Sequence, residues 1–174
     1  SLIHNARLSQ RRLKLLQQVE QFAPEALPQL GRAALDELLT LNETNPIAAA
    51  KKLADYGPQS RSKLWGDQRA AVETFFRPGP GGKPSIADQF KGLPTQPVEV
   101  LTSKGMKGDA GVGKLRTLLD VVGPEKGKII GRGMIEDLIR TGVGSGDDLA
   151  RGGVAEMSRE WREIGPKMKA MLVQ

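Results

Sequence analysis

The feature that most constrains this chain is a self-similarity. The stretch from Lys14 to Leu39 returns 100 positions later as Lys114 to Ile139. Aligned without a gap, Lys14, Leu15, Pro24, Glu25, Gly31, Arg32 and Leu38 meet Lys114, Leu115, Pro124, Glu125, Gly131, Arg132 and Leu138, seven identities in 26 positions. Conservative pairs fall between them: Leu30 with Ile130, Leu35 with Ile135, and the acidic Asp36-Glu37 with Glu136-Asp137. With the offset lengthened by eight, Tyr56, Gly57, Pro58 and Leu64 meet Ile164, Gly165, Pro166 and Leu172, and Leu53 meets Trp161. Such self-similarity predicts one supersecondary unit used twice.

The composition says what kind of unit. Only seven of 174 residues are aromatic and β-branched runs are scarce, while Leu, Ala, Lys, Arg, Gln and Glu fill the periodic segments, which favours helix. Twenty-one Gly and eleven Pro cannot sit inside helices in such numbers, so they must gather in caps and connections. The expected fold is all-α: two similar small helical units, an imperfect internal repeat, joined by a long Gly/Pro-rich segment. Unit one covers residues 1–76, the connecting segment 77–113, and unit two 114–174. Unit one continues past the repeat with Trp65-Gly66-Asp67 and a further helix, whereas unit two stops at Gln174, which with Ser1 at the other end suggests a truncated or cleaved chain.

Taken in order, Asn5 is the expected first N-cap, and Leu8, Leu15, Leu16, Val19 and Phe22 recur at helical spacing behind it. Pro24 suits the N1 position of helix two, whose apolar stripe is Leu27, Leu30, Ala34, Leu38 and Leu41 and which ends near Asn42. Asn45-Pro46 starts a third helix with Ile47, Ala50, Leu53, Ala54 and Tyr56 inward, before Gly57 closes it. Pro58 opens a fourth helix carrying Leu64 and Trp65, and Ala70, Val72, Phe75 and Phe76 mark a fifth. The 37 residues from Arg77 to Gly113 hold eight Gly and five Pro, the composition of a linker, with a brief helix around Ile86 to Phe90. The segment is expected to be pinned against its own helices or a neighbouring subunit. Unit two then reads as a helix from Lys114 to Val122, a break at Gly123-Pro124, and a helix from Glu125 to about Arg140. Gly127, Gly131 and Gly133 weaken that second helix unless close packing compensates. A Gly-rich turn spans Thr141 to Asp148 with Asp147 as cap. The final helix carries Leu149, Val154, Met157, Trp161 and Ile164 and closes at Gly165-Pro166.

Several function classes are excluded or disfavoured. There is no cysteine, so disulfides and thiolate metal sites are out. His4 is the sole histidine, which removes His-based metal clusters and His-centred triads. No run of about 18 apolar residues exists to span a bilayer. The net charge of +6 is spread thin, with Lys plus Arg against Asp plus Glu at 11 to 8 up to Arg77, 5 to 3 up to Lys114, and 10 to 9 beyond. Nucleic-acid surfaces concentrate their cations, so weak, non-specific DNA contact is as much as this charge implies. Gly108-Asp109-Ala110-Gly111-Val112-Gly113-Lys114 has the spacing of a phosphate-binding loop, but Leu115 replaces the Ser or Thr that holds magnesium and no strand leads into it. Asp36/Glu37 and Glu136/Asp137 are adjacent pairs, pointing about 100° apart on a helix, and read as solvated faces rather than acid–base partners. No Glu precedes a Ser as in lytic transglycosylases. Trp65 and Trp161 read as core anchors, and Arg32 and Arg132 as donors to a neighbouring helix's terminal carbonyls. No catalytic, metal or cofactor residue is expected. The positions singled out are structural: Pro24, Gly31, Arg32, Gly57, Pro58, Trp65, Pro124, Gly131, Arg132, Trp161, Gly165 and Pro166.

Asn45-Pro46, Tyr56-Gly57-Pro58 and Lys63-Leu64-Trp65-Gly66-Asp67 resemble segments of the large internal virion, or ejection, proteins of short-tailed bacteriophages. Lys114-Leu115-Arg116 leading into Val122-Gly123-Pro124-Glu125, and Trp161 leading into Gly165-Pro166, are similar. The likeness covers about two thirds of the chain through short, degenerate motifs. It implies a structural, non-enzymatic protein packaged in the capsid and delivered into the host envelope to help form a conduit for the genome. Its partners would be copies of itself or other virion proteins. The alternatives are a helical interaction or non-specific DNA-binding module, or the non-catalytic fragment of a larger phage enzyme.

Overall fold

The computed structural model describes residues 2–143 and 152–173. Among the described residues every regular element is helical and no strand occurs, so the chain is all-α. The expected cap Asp147, the residue Leu149 and most of the 141–148 turn lie outside the described residues; residues 141–143 complete a helix. The chain divides into two compact units, Ser1–Asp88 and Gln89–Gln174, so the boundary falls inside the Gly/Pro-rich segment.

In unit one, α1 spans Leu2–Phe22 and runs straight through Asn5, which therefore caps nothing. The Leu, Ala and Arg residues around it are strong helix formers and carry the helix past it. α1 docks through Ser9, Arg12 and Leu16, which follow one another at three- and four-residue spacing; Leu16 is buried. Leu8, Leu15 and Phe22, expected on the buried face, are exposed. Pro24–Ala26 makes a single 3₁₀ turn before α2, Leu27–Thr44, whose buried positions are Gly31, Leu35, Leu38 and Asn42. Leu30, expected to be buried, is partly exposed.

The Asn45-Pro46 start is realised as read. The Asn45 side-chain oxygen accepts from the Ala48 amide at 3.0 Å, and Pro46 opens α3, Pro46–Asp55. Ile47 points out at 82 % exposure, because Ala49 and Leu53, one turn apart, supply the face that packs. Gly57, at φ 79°, turns the chain into α4, Pro58–Trp65. A 3₁₀ turn at Gly66–Gln68 leads to α5, Arg69–Phe76, which buries Val72, Phe75 and Phe76. The two Phe rings meet edge to face at 5.1 Å. Beyond α5 the chain is held back by a buried amide, with Asn42 Nδ2 donating to the Ala87 carbonyl at 2.8 Å. Ala87 belongs to α6, Ile86–Gln89.

Unit two opens with Phe90, Leu93, Val98, Leu101 and Met106, all buried, so the nominal linker carries its own apolar anchors. Val98 and Leu101 lie on α7, Pro97–Leu101, and Met106 ends the 3₁₀ turn Lys104–Met106. α8 covers Gly108–Val122, starting six residues before the Lys114 expected from the sequence. The chain breaks at Gly123 and resumes as α9, Pro124–Val143, as expected. α10, Gly152–Glu163, and α11, Pro166–Leu172, follow, with Ile164, Met168 and Leu172 buried. No helix is long and apolar enough to cross a membrane among the described residues.

Candidate functional site

Three of the positions singled out from the sequence, Gly31, Trp65 and Gly131, lie at two helix crossings, one in each unit. In unit one, α2 passes over the end of α4 at Gly31. A Cβ built there would lie 2.1 Å from the Leu64 carbonyl oxygen, so only glycine permits this approach. The crossing is locked by Trp65, whose Nε1–H donates to the Gly31 carbonyl at 2.9 Å while its ring meets Tyr56 edge to face at 5.7 Å. Trp65 is the buried anchor it was expected to be. In unit two, a Cβ on Gly131 would lie 2.0 Å from the Leu172 carbonyl oxygen, so α9 and α11 also meet backbone against backbone.

The other paired positions agree less well. Pro58 and Pro166 both open helices. Gly57 has φ 79°, but Gly165 has φ −58°, an ordinary conformation for any residue. Pro124 starts an α-helix directly, whereas Pro24 starts a 3₁₀ turn. Trp161 is not a core anchor: it is 38 % exposed, with the Lys169 ammonium 4.4 Å from its ring centroid. Trp161 lies on α10, and Ile164 and Met168 fill the core instead. Arg32 and Arg132 are exposed, and among the described residues neither donates to a helix end.

The donors to helix ends are other residues, which periodicity does not mark. The last carbonyls of α3 collect three side chains. Ser9 Oγ and Arg12 reach Asp55 O at 2.6 and 3.3 Å, and Arg61 reaches Leu53 O and Ala54 O, both at 3.3 Å. Cationic donors at a helix C-terminus satisfy its free carbonyls and oppose the negative end of its dipole. Arg61 also pairs with Glu73 at 2.9 Å, both partly buried, while the Arg12 guanidinium lies 4.2 Å over the Tyr56 ring. Burial pushes the Tyr56 hydroxyl above its ordinary range, opposed by Arg12.

Of the carboxylate pairs, Asp36, Glu37 and Glu136 are exposed, as expected of solvated helix faces. Glu37 pairs with Lys52. Asp137 does not sit on a solvated face: its Oδ2 accepts the Val98 amide at 3.1 Å, capping α7 from a different helix. Nearby, partial burial raises the pKa of Glu160, opposed by a hydrogen bond with Thr141, and one of its oxygens is buried without a partner. The glycine-rich stretch before Lys114 is the first turns of α8. A Cβ on Gly111 would fall 1.9 Å from Met106 O, and the Lys114 ammonium is held by Gln89 Oε1 at 2.6 Å and Gly105 O at 2.7 Å. Gly111 serves packing, Gly108 supplies a positive φ of 69°, and the lysine closes a loop. An open recess of about 370 Å³ beside α8 and α9 is lined by Arg116, Asp120 and Lys128 with Leu119 and Met171. No cluster of acidic and histidine side chains suited to a metal ion occurs among the described residues. Compared with known proteins, the chain matches no family model, no curated protein and no solved structure.

Proposed function

We propose that the chain is a structural, non-enzymatic component of a short-tailed phage virion, of the internal ejection type. It would be carried in the capsid and then contribute to a conduit for the genome through the host envelope, as copies of itself or with other virion proteins. The observation that carries this reading is the pair of crossings at Gly31 and Gly131, where backbone meets backbone with no side chain between. Such contacts suit rigid blocks for a wall better than moving parts around a substrate. The resemblance of the Pro46, Gly57-Pro58 and Trp65-Gly66-Asp67 segments to the ejection proteins supports the same reading. The test is the mass of the purified chain by light scattering at two salt concentrations, with and without duplex DNA. A defined ring-sized oligomer that ignores DNA is expected. A monomer that gains mass only with DNA at low salt would overturn it in favour of a DNA-binding module, the reading favoured by the cations at the start of α1.

A further inference from the structure

α1 turns an apolar row outward. Leu8, Leu15 and Phe22 are 44, 58 and 77 % exposed and stand seven residues apart, so they line up along about 21 Å of helix. With half-buried Val19 beside it, the row spans about 60° of the helix. A helix lying in a membrane interface needs an apolar face at least about 100° across, whereas a single row repeating every seven residues is the seam of a helix pair. The charges beside the row choose the second helix. Residues 1–19 contain no acidic side chain, and Arg7, Arg11 and Lys14 are exposed and make no ion pair among the described residues. A second copy laid along the row would bring cations against cations in either direction, so self-pairing is opposed by its own flanks. We propose that the Leu8–Leu15–Phe22 row is the docking surface for an acidic amphipathic helix of a partner protein, with apolar residues at seven-residue spacing and Glu or Asp on the flank that meets Arg7, Arg11 and Lys14.

The experiment uses the full chain and two stapled helical peptides of about 20 residues, long enough to follow α1. Both carry Leu at every seventh position; one has Glu at the flanking positions and the other Lys. Binding is read by fluorescence anisotropy at low salt. The acidic peptide is expected to bind at least about tenfold more tightly than the basic one, and Leu15→Ser to weaken it by a similar factor. The double substitution Arg11→Glu with Lys14→Glu is expected to invert the preference towards the Lys peptide. All three positions are exposed, and circular dichroism checks that the helix content is unchanged. The proposal is overturned if the two peptides bind alike, if the acidic peptide fails to bind, or if Leu15→Ser and the charge reversal leave binding unchanged. It is equally overturned if the row instead mediates self-association by light scattering, or adsorbs to phosphatidylglycerol vesicles or duplex DNA without competition from the acidic peptide.

Discussion

Replacing Gly31 by Ala tests the crossing that organises unit one. The new Cβ would sit 2.1 Å from Leu64 O and 3.4 Å from the Trp65 ring, so α2 and α4 must separate by about 1 Å to restore an ordinary contact. Overpacking of this kind costs about 1–3 kcal/mol. The separation also strains the Trp65–Gly31 hydrogen bond at 2.9 Å, worth about 1 kcal/mol, and a Gly to Ala change in a helix returns about 1 kcal/mol in propensity. The net expectation is a destabilisation of about 1–3 kcal/mol. Gly133 is the control: it lies inside α9 with nothing within 4 Å of a built Cβ, so Gly133→Ala is expected to stabilise by about 0.5–1 kcal/mol. The chain has two tryptophans, Trp65 in unit one and Trp161 in unit two. Urea unfolding of Trp161→Phe and Trp65→Phe backgrounds therefore follows each unit separately. With a slope of about 1 kcal/mol per molar urea, Gly31→Ala lowers the Trp65 midpoint by about 1–3 M, and Gly133→Ala raises the Trp161 midpoint. If both substitutions move their midpoints in the same direction, or Gly31→Ala has no effect, the steric reasoning fails.

Other perturbations follow from the polar contacts. Arg61→Met removes the 2.9 Å pair to Glu73 and the bonds to the α3 carbonyls, and is expected to cost unit one about 1.5–3 kcal/mol by the same Trp65 readout. Tyr56 is the single tyrosine, so ultraviolet difference titration reports it alone; its midpoint should lie above 10.0. Because burial raises the folded pKa, the stability this group contributes is intact below pH 10 and lost as pH rises through the folded value, and Tyr56→Phe should remove that alkaline loss. Glu160 is also raised, from 4.5, so its contribution is fully present below that pH and lost as pH rises. Glu160→Gln is therefore expected to raise the thermal midpoint of unit two at pH 7, with the advantage shrinking towards pH 4.

What could be read in advance was the chemistry written in adjacent residues. Asn45-Pro46 and Gly123-Pro124 mark helix boundaries because a cap, a missing amide or a permissive turn acts within a few residues. Trp65 was legible as an anchor, although not as the donor to Gly31. Periodicity failed where a helix has two apolar stripes and only one is buried. Leu8, Leu15 and Phe22 fit helical spacing as well as Leu16 does, and only the partners α1 finds decide between them. The glycines before Lys114 argued against helix by propensity, but the close approach of Met106 to Gly111 requires that residue, a reason that lies outside the local sequence. Likewise Asp137 looked like one of a solvated pair because its partner, the Val98 amide, is 39 positions away.

That bond sets an order of events. α7 has five residues, too short to persist as a helix in water, and the Val98 amide is held at its first turn by the carboxylate of Asp137 on α9. α7 is thus templated by α9, not prepared for it. In hydrogen exchange its amides should open no more slowly than α9 itself, and any event that frays α9 near Asp137 should release the whole 97–101 turn at once. The 97–101 turn is thus held from outside itself, by one carboxylate and by the burial of Val98, Val100 and Leu101.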